Sequence, residues 1–176
     1  MKRLISFFVL LLIGFSTNSC AEAEKLLDVP IRFTITEEIP VHINQAVGSQ
    51  NFQNTVVLSI DNSDTHDYLN KIKEVKIYSL KYKLIQFSGD AACSAEADLS
   101  MDNILISSFD ENVKRVVDAG TVYNVDNVDD LNKIASKLKS GHKVTAKFGG
   151  KAVSENASTN FKVQITMDVK VTANPL

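Results

Sequence analysis

The residues with the most chemistry to offer are His42, His66 and His142, the cysteines Cys20 and Cys93, and one dense run of oxygen ligands, Asp61-Asn62-Ser63-Asp64-Thr65-His66-Asp67. A metal helix or knuckle needs ligands a few residues apart, and these histidines are scattered. The acidic run invites a calcium reading, because hard cations take carboxylate and amide oxygens on loops. It lacks the central Gly and closing Glu of an EF-hand loop. Asp64 or Thr65 as the N-cap of a short helix carrying Leu69 and Ile72 accounts for the same residues. The chain has no nucleophile elbow and no paired metalloprotease histidines, and Gly149-Gly150 lacks the strand-turn-helix context of a phosphate loop. No catalytic, metal-binding or cofactor-binding residue is therefore assigned, and no cofactor is expected. Asn156-Ala157-Ser158 matches a glycosylation sequon and reads as loop composition. The lysines 71, 73, 76, 81 and 83 read as a solvated sheet face that discourages edge pairing, with anionic membrane contact as the second reading.

The N-terminus carries the clearest signal. Lys2-Arg3 precedes the apolar stretch Leu4 to Ile13, too short for a comfortable membrane span and typical of an export signal. Phe15-Ser16-Thr17-Asn18-Ser19-Cys20 follows, and here the chain resembles a bacterial lipoprotein, in which small residues precede a cysteine that is acylated and becomes the new N-terminus. The resemblance implies lipidation at Cys20, and Ala21 in place of Asp implies passage to the outer membrane. Ordinary signal-peptidase cleavage after Ala21-Glu22-Ala23 is the alternative, and would release a soluble periplasmic or secreted chain starting at Glu24. A lipidated Cys20 cannot form a disulfide, so Cys93 stands without a partner and is expected to be a small side chain tucked under a hairpin.

The elements that must position these residues are mostly strands. From Phe161 to Thr172 apolar and polar residues alternate without a break, which places Phe161, Val163, Ile165, Met167, Val169 and Val171 on a core face. Burying six such side chains is worth on the order of 10 kcal/mol gross. Val29 to Thr36 is a strand that Glu37-Glu38-Ile39-Pro40 is expected to break, with Val41 to Phe52 irregular, and Thr55 to Ile60 is the next strand. In Glu74 to Phe87 the alternation changes phase near Ser79, as a bulge or a change of sheet would require. Ala95 to Ile106 reads as a return strand forming a hairpin with it. Asn112 to Gly120 reads as strand because its valines are β-branched. Asn127 to Lys139 reads as an amphipathic helix, with Val128, Leu131, Ile134, Ala135 and Leu138 on one face, Asp126 as its cap and Gly141 as its stop. Val144 to Phe148 alternates, Gly149-Gly150 interrupts, and 151–160 connects to the last strand.

These readings assign 1–19 to an export signal, 20–25 to a tether and 26–176 to one domain of a size that supports a genuine core. That domain is expected to be mainly β: an antiparallel β-sandwich, Ig-like in general architecture, of roughly seven strands with one amphipathic helix and one further short one. A half-open barrel around the helix is the alternative. Removing Lys2 and Arg3 from the nineteen basic residues leaves seventeen against twenty-one acidic ones, a balance of −4 that argues against nucleic acid as partner. The function expected is that of a non-enzymatic interaction or structural module of the bacterial cell envelope, held to the membrane by its lipid and meeting another envelope protein or ligand. A carrier of a lipid or other apolar ligand is the second reading and a hydrolase the third.

Overall fold

The computed structural model describes residues 28–44 and 47–174, so the expected export signal, Cys20 and the expected tether lie outside the described residues. Eight strands follow in order: β1 (Val29–Ile43), β2 (Gly48–Ser59), β3 (Ile72–Ser88), β4 (Ser94–Met101), β5 (Ile104–Asn112), β6 (Val122–Asn124), β7 (Lys143–Ser154) and β8 (Thr159–Ala173). Among the described residues two α-helices interrupt them, α1 (Val113–Ala119) and α2 (Val128–Gly141). The strands form two antiparallel four-stranded sheets, β1-β8-β3-β6 and β2-β7-β4-β5. The expected sandwich is there, and its strand order, with first and last strands paired and every sheet neighbour antiparallel, is that of a jelly roll. In β8 the six core residues named above are all buried, at 2 % exposure or less, because β8 lies between β1 and β3 and turns its apolar parity to the other sheet.

Several local expectations are corrected. β1 runs straight through Glu37-Glu38-Ile39-Pro40, pairing in one register from Val29 with Ala173 to Ile43 with Thr159. It is an edge strand, where the missing N–H of Pro40 is tolerated. The stretch 41–52 accordingly holds the end of β1 and the start of β2. The phase change in β3 is a bulge: the register with β8 slips between Ile77 and Ser79, and Tyr78 is the extra residue. β3 and β4 do not form a hairpin; they belong to opposite sheets. The hairpin is β4–β5, because Asp102 and Asn103 both adopt positive φ, 45° and 67°, and close a two-residue turn where the sequence read as one strand.

Residues 113–119 are helix, not strand. Asn112 accepts a hydrogen bond from the Arg115 N–H at 2.9 Å, Gly120 ends the helix in the left-handed region, and Val113 and Val116 are buried. Caps and burial outweigh the β preference of the valines. In α2 the N-cap is Asn127 instead of Asp126, accepting from the N–H groups of Asp129 and Asp130, and the C-cap is His142 instead of Gly141. Its buried face is Ile134, Ala135 and Leu138, while Val128 points to solvent. The helix packs on β3 of one sheet and β7 of the other. Gly149-Gly150 lies inside β7, which continues to Ser154. A Cβ on Gly150 would fall 2.0 Å from the Glu96 carbonyl oxygen of β4, so only glycine lets the two backbones approach this closely.

Candidate functional site

The outer face of the β1-β8-β3 layer collects the most charge. Register fixes its rows. Pro30, Thr172 and Glu74 lie side by side, then Arg32, Lys170 and Lys76, then Thr34, Asp168 and Ser79, then Thr36, Thr166 and Lys81, then Glu38, Gln164 and Lys83. Three cations thus stand directly across from one another on adjacent strands, at positions where like charges repel. Among the described residues none of the three has a carboxylate within ion-pair distance. The bulge residue Tyr78, 44 % exposed, sits under this row with the Arg32 guanidinium 4.1 Å and the Lys76 ammonium 5.2 Å from its ring centre.

Asp168 in the next row is tied on both sides. Ser79 Oγ and Thr34 Oγ1 each donate to it at 2.6 Å, and these bonds, Ser79 first, hold its carboxyl below the usual range. Lys162 pairs with Glu38 at 2.8 Å. Beyond Asp168 a shallow depression of about 250 Å³ is lined by Lys81, Lys83, Gln164, Thr166 and Val122.

The opposite outer face is charge-balanced and also carries the exposed apolar side chains Val57, Leu105 and Val153. Gly149 and Gly150 floor an open trough of about 470 Å³ there, with Gln53 and Phe52 on one side and Asp98, Ser100 and Lys147 around it. Between the sheets the space is filled: Phe148 of β7 meets Phe52, Phe109 and, across the sandwich, Phe161 of β8, at ring-centre distances of 5.7, 6.3 and 6.5 Å. Tyr82 of β3 stacks on Tyr123 at 4.8 Å and shares a hydrogen bond with Ser107 of β5.

No family model matches this chain. No curated protein matches it either. Solved structures similar to it include one of Desmodium yellow mottle tymovirus, 15 % identical with a TM-score of 0.42 over 84 % of each chain. The decameric BFDV capsid protein is 11 % identical with a TM-score of 0.41, over 81 % of this chain and 99 % of that one. Turnip yellow mosaic virus is 9 % identical with a TM-score of 0.35, over 82 % and 94 %. Scores this low transfer neither function nor partners.

The histidines are placed apart in role. His42 pairs through Nδ1 with Asn160 at 2.7 Å. His66 pairs with Asp61 at 2.8 Å, and that bond and charge raise its pKa, but the two side chains are 71 % and 44 % exposed on an open loop. His142 serves through its backbone, its carbonyl accepting from the Ile60 N–H and Ser59 Oγ. The acidic run is a turn leading into a 3-10 helix, His66–Lys71, whose N-cap Thr65 makes no side-chain cap bond and instead donates to the Ile60 carbonyl. Among the described residues no group of three or more His, Cys, Asp or Glu side chains is arranged to hold a metal. Cys93 is fully buried, in the connection from β3 to β4. The Arg32-Lys170-Lys76 row escaped sequence reading because it requires knowing that β8 lies between β1 and β3.

Proposed function

We propose that this chain is an exported protein of the bacterial cell envelope, lipid-tethered at Cys20, whose jelly-roll domain acts by surface contact as a non-enzymatic interaction or structural module. The observation that carries the reading is the filled interior. Phe148 and Phe161 meet ring to ring across the two sheets, and the depressions described above lie open on the outer faces, with mixed polar and apolar linings. A carrier of an apolar ligand would need an unfilled apolar cavity between the layers. A hydrolase would need its histidine, acid and nucleophile in a site that excludes water, whereas the His66–Asp61 pair stands in solvent. The basic start, the apolar stretch Leu4 to Ile13 and the small residues before Cys20 support export and acylation.

The test is the mass of the protein taken gently from its native envelope. A chain beginning at Cys20 with a covalent excess is expected, and Cys20→Ser should move the protein from the membrane to the soluble fraction. A native chain beginning at Glu24 would overturn the anchor.

A further inference from the structure

We propose that the outer face of the β1-β8-β3 layer rests on an anionic lipid surface, with Arg32, Lys170 and Lys76 meeting headgroup phosphates and Tyr78 seated among them. The position of this contact rests on the tether proposed above; its chemistry rests on the face itself. Like charges directly opposite on neighbouring strands are unfavourable, and among the described residues this row has no carboxylate within ion-pair distance, only the longer-range attraction between Arg32 and Asp168 of the next row, so an external anion relieves it. The imbalance is local. Arg32, Lys76, Lys81, Lys83, Lys162 and Lys170 face Glu38, Glu74 and Asp168, an excess of three cations. On the opposite sheet the outward Lys143, Lys147 and Lys151 are matched by Glu96, Asp98 and Asp110. A chain whose mature part is net negative therefore gathers its positive excess on one sheet.

Two features distinguish a lipid surface from a soluble polyanion. The bulge residue Tyr78 is 44 % exposed beside Arg32 and Lys76, and an exposed aromatic ring with a polar tip suits headgroup depth. The face also lies next to the proposed anchor. Cys20 lies eight positions before Asp28, where the described chain starts, a span of at most about 29 Å. Arg32 follows only four residues after Asp28. An acylated Cys20 would hold this end of the sheet against the bilayer.

The experiment uses the chain from residue 20 onward with Cys20→Ser, so that no acyl group contributes. It is sedimented with vesicles of phosphatidylcholine alone or with added phosphatidylglycerol. Binding is expected only with the anionic lipid, weakening with salt. Each cation near an anionic surface is worth about fivefold in partitioning, so Arg32→Gln with Lys170→Gln should weaken binding about 25-fold. Lys143→Gln with Lys151→Gln should leave it unchanged. Melting followed by circular dichroism checks that each variant folds, and relief of repulsion should keep the first pair at least as stable as the parent. Equal binding to both vesicles, or equal loss from the opposite-face pair, overturns the proposal. So does binding to dextran sulfate without binding to vesicles, which would make this face a reader of soluble polyanions. A native chain starting at Glu24 would remove the anchor without altering the vesicle result, so the two readings fail separately.

Discussion

The carboxylate of Asp90 closes two connections at once. It accepts from the N–H groups of Glu155 and Asn156, in the turn between β7 and β8, and from the N–H of Ala92 in its own loop. These donors hold its pKa at about 2. Because the folded value lies below the unfolded one, the unfolded chain binds more protons between about pH 2 and pH 4, and stability rises with pH across that window. Asp90 thus contributes fully above the ordinary carboxylate range, and its contribution is lost as pH falls through about 2. Asp90→Asn should lower Tm at neutral pH and flatten its fall below pH 4, which a pH series of thermal melts reads directly. Ser154 is the opposite case: its hydroxyl is buried and has no hydrogen-bond partner among the described residues. Removing an unsatisfied buried group relieves its desolvation cost, so Ser154→Ala should stabilise the fold by about 1 kcal/mol, measured by urea unfolding. Neither role was legible in the sequence. Gly89-Asp90 reads as any loop does, and its partners lie some 65 positions away.

Glycines within elements mark where two backbones come close. A Cβ on Gly150 would strike β4 backbone at 2.0 Å, whereas one on Gly149 would meet the Phe52 carbonyl at 3.0 Å. Gly150→Ala should therefore cost about 3 kcal/mol by forcing strands apart, and Gly149→Ala less than about 1 kcal/mol; equal costs in denaturant melts would refute this account. Asn127→Ala removes the acceptor for two N–H groups at the start of α2 and should cost about 1 kcal/mol. These cases explain what could be read at this scale. Unbroken alternation placed β8 and its core face, and the slipped phase near Ser79 marked an irregularity in β3, a bulge or a change of sheet, which the structure shows to be a bulge at Tyr78. Where local preference and tertiary setting conflict, the setting prevails: the valines of α1 form a helix under an Asn cap, and β7 continues through two glycines. Alternation gives a strand its faces but not its neighbours, so neither the strand order nor the cation row across β1, β8 and β3 was legible.

At the scale of the whole molecule the fold closes on its ends. β1 pairs along its full length with β8, and β8 also pairs with β3, so the last strand is the middle of its sheet. Until residues 159–173 are available, β1 and β3 have no shared partner, and the apolar parity of the other sheet has nothing to cover it. Bringing the first and last strands together orders nearly the whole chain before the pairing rewards it, and such non-local topologies fold slowly, in milliseconds to seconds. A chain ending at Ser158 should accordingly lack a cooperative melt and be cut throughout by protease, despite keeping seven of its eight strands. Phe148→Ala, which leaves every strand in place but empties the ring contact to β8, should keep the cooperative transition and lose about 3 to 5 kcal/mol. If the truncated chain instead melted cooperatively, the second sheet with its helix would be a folding unit of its own, and closure by β8 would be a later and separable event.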